Sequence, residues 1–213
     1  MHYFLLKMIE NSIYFLFIKN LYFIKHNKIF NYIKMSFPKI QLTEVLKYLE
    51  NEEDDPEKPY LFVNPSQDLY TFFKYKGNKI DLVKDRLTLD LYPDERERLK
   101  ENFLNNLEAA MALGGWAVIN TEGSASFNIL EHFGKFGFND KEMFKPCKLH
   151  DKKYVLSQGL LRKENDVDFF GNRGYFEIKD KFKLCFLSHC NIEDINALVN
   201  CNKDIQFQVI IVE

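Results

Sequence analysis

The sequence predicts an α/β protein built on a mainly parallel sheet flanked by helices, and three observations carry that expectation. Short runs at 60–63 and 116–119 are apolar on both faces, the character of strands inside a parallel sheet. Amphipathic stretches fall between such runs, the longest marked by Leu99, Phe103, Leu104, Leu107, Ala110 and Met111. Strand and helix signals alternate along the chain, which implies crossover connections rather than a meander.

Taken in order from Met35, the residues Leu42, Val45, Leu46 and Leu49 fall at helical spacing, with Thr43 as a candidate cap. The acidic run over 50–58 reads as a solvated linker rather than a metal site, because nothing fixes its geometry. The strand at 60–63 then enters a turn, Asn64, Pro65, Ser66 and Gln67, and a helix from Asp68 to Lys76 that carries Leu69, Tyr70, Phe72 and Phe73. Gly77 and Asn78 are expected to close that helix as a left-handed cap. Alternation over 79–83 predicts a second strand, and Pro93 suits the first position of the long helix stopped by Gly114 and Gly115. On that helix Glu95, Arg96, Arg98 and Lys100 make a solvated face.

The strand at 116–119 ends in Asn120, Thr121, Glu122 and Gly123, and Phe127, Ile129, Leu130 and Phe133 predict a helix over 126–133. Residues 134–173 are irregular, an inserted loop or hairpin with a candidate strand at 154–156. An antiparallel hairpin is predicted from 175–178, a turn at Lys179 and Asp180, and 182–188. A short helix over 192–198 and a strand over 205–212 complete the chain.

The 213 residues, 46% of them hydrophobic, suffice for one domain with a buried core and a tail. The counts of Phe (21) and Tyr (11), together with frequent Lys, Asn and Ile, match the coding bias of AT-rich DNA and carry no functional weight. Residues 1–34 hold five lysines against Glu10, a net of +4, which leaves about −6 on the rest and argues against a nucleic-acid-binding body. The longest uncharged run there, 11–18, falls far short of the roughly 20 apolar residues a spanning helix needs. No small-residue cleavage site follows it, and no arginine precedes Arg86. Two readings of 1–34 stand open: translation begins at Met35, or lysines interleaved with aromatics form a membrane-surface or partner helix. Membrane contact is expected only in the second case. Without a secretory signal, Cys147, Cys185, Cys190 and Cys201 read as reduced intracellular thiols.

From Met35 onward the chain resembles the large subdomain of an AAA+ module, a P-loop-NTPase-like architecture, and most closely the fifth AAA+ module of dynein heavy chains. The family's strand and turn of the form Pro-Leu-Met/Leu-Ile-Asp-Pro-Gln-Gly-Gln stand here as Pro59-Tyr-Leu-Phe-Val-Asn-Pro-Ser-Gln67, with Tyr70 and Phe73 in the helix that follows. Its phrase Phe-x-x-x-Leu-Glu-x-Ala-x-x-x-Gly is met by Phe103 to Gly114, and its apolar strand ending Glu-Asn-Val-Gly-Glu by Ala117 to Gly123. The strand from Phe182 to Ser188 and the terminal one at 204–212 are similar in form to the family's last two strands. The likeness runs from Pro59 to the terminal strand. It divides the chain into an aromatic and lysine-rich segment (1–34), a helix with an acidic linker (35–58) and a degenerate AAA+-like domain (59–213).

The resemblance also sets the expected chemistry. A working phosphate loop needs glycines for backbone approach, a lysine for charge and a Ser or Thr for Mg²⁺. At Asn64, Pro65, Ser66 and Gln67 only Ser66 is of the right type, and no lysine precedes it. At the acidic position that holds Mg²⁺ and water in active relatives, Asn120 and Thr121 stand instead and Glu122 is displaced by one residue. The helical lid that closes over nucleotide in these modules is expected to be missing after the last strand. The implied protein is not an enzyme, holds no cofactor or metal, and has no catalytic residue. Its implied role is a structural or adaptor component of a dynein and microtubule assembly, in the cytoskeleton of the ciliary axoneme, with protein partners. A degenerate paralogue or fragment of a dynein heavy chain, and an atypical nucleotide hydrolase, are the alternatives.

Three further constellations remain. Cys185, His189, Cys190 and Cys201 invite a zinc reading but lack a second close pair. A cysteine nucleophile with His132 or His150 has no supporting context. Residues 171–174, Gly-Asn-Arg-Gly, form either a small anion-binding nest or a plain turn.

Overall fold

Among the described residues, six strands make one sheet in the order β1-β6-β2-β5-β4-β3, and each pairing within it is parallel. The computed structural model describes residues 37–50 and 55–213, so the readings of residues 1–34 and of the centre of the acidic run lie outside the described residues. The strands are β1 (Lys39–Ile40), β2 (Tyr60–Val63), β3 (Asn78–Asp81), β4 (Trp116–Asn120), β5 (Lys183–Ser188) and β6 (Gln208–Val212). The α-helices are α1 (Val45–Leu49), α2 (Asp68–Lys76), α3 (Leu82–Leu91), α4 (Arg96–Leu113), α5 (Ile129–Gly134), α6 (Pro146–Leu149), α7 (Lys152–Ser157) and α8 (Ile195–Cys201). This is a helix-flanked α/β architecture of the Rossmann and P-loop kind.

From β2 the chain crosses through α2 to the far edge at β3, and every later connection steps back the other way. Right-handed crossovers running in opposite directions place their helices on opposite faces of the sheet. On one face Tyr60, Phe62, Val118, Cys185, Leu187 and Ile210 pack against Val45 and Leu49 of α1 and Leu69 and Phe73 of α2. On the other, Phe186 of β5 meets Phe144 edge-on at 5.6 Å, Phe144 meets Phe133 of α5 at 5.4 Å, and Phe133 meets Phe103 of α4 at 4.9 Å. Both faces being covered explains why the central strands are apolar throughout.

Several expectations are corrected. The late antiparallel hairpin does not form: β5 pairs in parallel with β2 on one side and β4 on the other, which leaves no edge for 175–178. Instead the turn is stitched to the end of α4, where the N–H of Lys179 donates to the carbonyl of Met111 at 3.0 Å. The candidate strand at 154–156 lies in α7, because the Asp151 carboxylate accepts from the N–H groups of Lys153 and Tyr154 and caps a helix there. Gly77 is extended (φ −129°), not left-handed. A Cβ there would meet Val118 Cγ2 at 3.1 Å, so the residue is small to let the chain pass β4. The left-handed cap belongs to Gly114 (φ +66°) at the end of α4. Thr43 is not a cap: it lies within a 3-10 turn over Leu42–Glu44 that leads into α1, and the Glu44 carboxylate closes that turn by accepting from the Gln41 N–H at 2.9 Å.

Candidate functional site

The connection leaving β2 runs to one edge of the sheet, and those leaving β4 and β5 run to the other. Open α/β sheets bind ligands outside the carboxyl ends of their strands at such a reversal. The fold brings both stretches singled out from the sequence to this place. Asn64 follows β2, Asn120 ends β4 with Thr121 and Glu122 beyond it, and Ser188 ends β5 with His189 beyond it. Backbone and side chain tie the three strand ends together. The Asn64 N–H donates to the Ser188 carbonyl at 2.9 Å, and the Thr121 N–H donates to the Leu187 carbonyl at 2.9 Å. The Glu122 carbonyl accepts from Ser188 Oγ at 3.0 Å and from the His189 N–H at 2.7 Å.

The turn after β2 is closed on itself. The buried Asn64 side chain accepts from the Leu69 N–H at 2.9 Å, and its Nδ2 donates to Ser66 Oγ at 3.0 Å and to the Val212 carbonyl at 3.1 Å. Ser66 Oγ in turn donates to the Asp68 carboxylate at 2.8 Å, and Gln67 takes a left-handed conformation (φ +65°) to enter α2. The free N–H groups and positive dipole at a helix amino terminus are what a phosphate binds. Here an amide oxygen takes one of those N–H groups and Asp68 brings a negative charge to the first turn. The residues present do not fit a nucleotide phosphate. A carboxylate occupies the position of charge, and Pro65 supplies no N–H at all.

The second stretch is equally engaged. Asn120 Nδ2 donates to Asp81 Oδ1 at 2.9 Å across the β3–β4 pair, and Asn120 Oδ1 accepts from the Glu122 N–H at 3.1 Å. Thr121 is buried and its Oγ1 donates to the Leu187 carbonyl at 3.2 Å. Glu122 is exposed and left-handed (φ +52°). Two non-glycine residues in this conformation, Gln67 and Glu122, therefore flank one strand-end cluster, where such strain commonly collects.

Residues not predicted from the sequence as a group complete the cluster. Lys79 Nζ lies 2.9 Å from Asp81 and 3.9 Å above the ring of Tyr70, whose hydroxyl it also contacts. Burial works against its charge, but the hydrogen bonds to Asp81 and Tyr70 outweigh that and raise its pKa. Tyr70 also packs edge-on to His189 at 5.6 Å, and His189 Nδ1 lies 3.0 Å from the Asn64 carbonyl. That contact makes Nδ1 the donor, and Nε2 is buried and without a partner among the described residues. Asp85, one turn into α3, is pushed up to about 6 by burial and by the Asp81 charge.

The remaining constellations are dispersed. Cys185 is buried inside β5, Cys190 is buried beyond its end, and Cys201 Sγ donates to the Ser126 carbonyl at 3.3 Å. Among the described residues, no three His, Cys, Asp or Glu side chains are grouped so as to hold a metal ion. His132 is enclosed by Phe127, Phe133 and Phe136, and His150 Nε2 lies 3.0 Å from the Phe182 carbonyl. The turn at 171–174 already holds a carboxylate of its own: Asp168 accepts from the N–H groups of Phe170 and Asn172 and from Asn172 Nδ2, each at 2.8 Å.

Searched against protein-family models, curated proteins and solved structures, the chain matches none of them. Among the described residues, no helix is long and apolar enough to cross a membrane.

Proposed function

We propose that the chain is a non-catalytic, dynein-AAA-module-like protein that serves as a structural or adaptor component of a dynein-bearing microtubule assembly, with the ciliary axoneme as its setting. The observation that carries the non-catalytic part is the corner after β2. Asn64, Ser66 and Asp68 satisfy one another and the start of α2, so that place in the fold holds a structural network where an ATPase would hold phosphates. The dynein setting rests on the likeness of the stretches around Pro59, Phe103, Ala117 and Phe182. AAA+ modules pack side by side through their large subdomains, so a subdomain of this kind offers faces suited to a protein partner.

Two measurements test the two halves. Titration with a fluorescent ATP analogue and Mg²⁺ is expected to give no saturable signal, and micromolar Mg²⁺-dependent binding would overturn the closed-corner reading. The tagged protein is expected in purified axonemes, and its absence from them would refute the ciliary setting.

A further inference from the structure

A concavity lies at the opposite end of the sheet from the cluster just described. It encloses about 1300 Å³ beside the amino ends of β2, β4 and β5, where Tyr60, Trp116 and Lys183 begin their strands. Among the described residues, five lysines line it, Lys58, Lys76, Lys179, Lys181 and Lys183, against two carboxylates, Glu50 and Asp180. Three of these lysines lie in the short run 179–183, and the fold brings Lys58 and Lys76 from two distant segments to join them. Two helices, α2 and α4, end here, and each carboxyl terminus attracts a cation with about half an elementary charge. That attraction accounts for a lysine or two, not for five.

From this we infer that the groove is a docking site for an acidic, apolar-interrupted peptide segment of a partner protein. The lysines supply the charge. Lys76 and Lys181 are exposed, Lys58 is shared with Asp55 at 3.5 Å, and Lys179 is shared with Glu177. The walls supply apolar contact through Leu113, which is 80% exposed, and through Pro56 and Pro146. Nucleic acid fits less well. Single strands bind by stacking bases on aromatic faces, and the aromatic rings here are already engaged. Trp116 stacks on Phe72 at 6.0 Å and meets Phe73 edge-on, while Tyr60 stacks on Phe62 at 5.6 Å and meets Tyr48 edge-on.

The inference rests on the adaptor reading, naming the chemistry of its partner, and its test separates the two. The full chain is titrated into a fluorescein-labelled peptide of repeating Glu-Glu-Leu, with a labelled oligothymidylate of equal charge alongside, and anisotropy is read at low and physiological salt. The expected result is saturable peptide binding that weakens with salt and falls at least tenfold in the double variant Lys179→Glu, Lys181→Glu. Both substituted side chains are exposed, and an unchanged melting temperature shows that the fold is kept. Absent peptide binding, equal binding by the double variant, or tighter binding of the oligothymidylate would each overturn it. A protein missing from axonemes that still binds the peptide through these lysines refutes the ciliary setting and leaves the groove standing.

Discussion

Asn64 holds together three parts of the chain, since its one side chain reaches the start of α2, Ser66 and the last strand at Val212. Removing it strands a buried N–H and a buried carbonyl, so Asn64→Ala is expected to cost about 3 kcal/mol, read from urea denaturation midpoints. His132 has a different consequence. Both ring nitrogens are buried without partners among the described residues, and burial, with lesser contributions from Lys135 and Arg86, lowers its pKa to about 4. The unfolded chain therefore binds a proton between about pH 6.5 and pH 4 that the folded one refuses. Stability is full above that window and falls as pH drops through it, by on the order of 3 kcal/mol. In His132→Phe the difference in stability between pH 7.5 and pH 4.5 is expected to shrink by most of that amount. Of the strand-end cluster, residues 64–67 and 120–122 were legible because each follows a recognisable apolar strand. His189 was not legible as their partner, since its contact with Asn64 spans 125 positions and leaves no local trace.

At the scale of elements, the long helix α4 does more than cover the sheet. Its Glu108, buried, accepts from the Arg162 N–H at 2.7 Å, from the Arg162 guanidinium and from Asn165 Nδ2 at 2.6 Å, while Arg162 also reaches Asn105 at 2.6 Å. This network fastens the irregular segment after α7, which displays Phe169 and Phe170 to solvent, 98% and 85% exposed. Removing one partner of a buried pair leaves the other uncompensated, so Glu108→Ala is expected to lower stability by about 3–5 kcal/mol. Chymotrypsin should then cut beside Phe169 and Phe170 faster than in the parent protein, measured by the time course of limited digestion. The elements that the sequence misled on share one cause. Residues 175–178 and 154–156 look like strands by composition, and only the occupancy of both edges of β5, or the cap at Asp151, decides otherwise. The helix α3 was missed because Leu82 and Val83 continue the alternation of β3, and its buried residues Leu82 and Leu89 are too few to declare a helical stripe.

For the whole molecule, a parallel sheet was readable from strands apolar on both faces, but the strand order was not, because order depends on crossovers that no local pattern records. Two expectations follow the same division. The reversal at β2 marks the carboxyl end as the customary ligand crevice, whereas the concentration of lysine lies at the other end. The proposed peptide groove and the closed corner after β2 thus lie at opposite ends of one sheet.

The position of β6 has a consequence for how the protein is made. The last strand enters not at an edge but between β1 and β2, with Lys39 beside Ile211 on one side and Phe62 beside Ile210 on the other. Until residues 208–212 have left the ribosome, β2 has an open flank and β1 has no partner to hold it in the sheet. The Asn64 amide also waits for the Val212 carbonyl. Every earlier strand can be in place and the central one still offers a bare row of N–H and carbonyl groups, the kind of edge on which chains aggregate. Pairing across so long a stretch of chain is slow. The nascent chain thus passes through a stage as a sheet with a slot in it, open until residues 208–212 emerge.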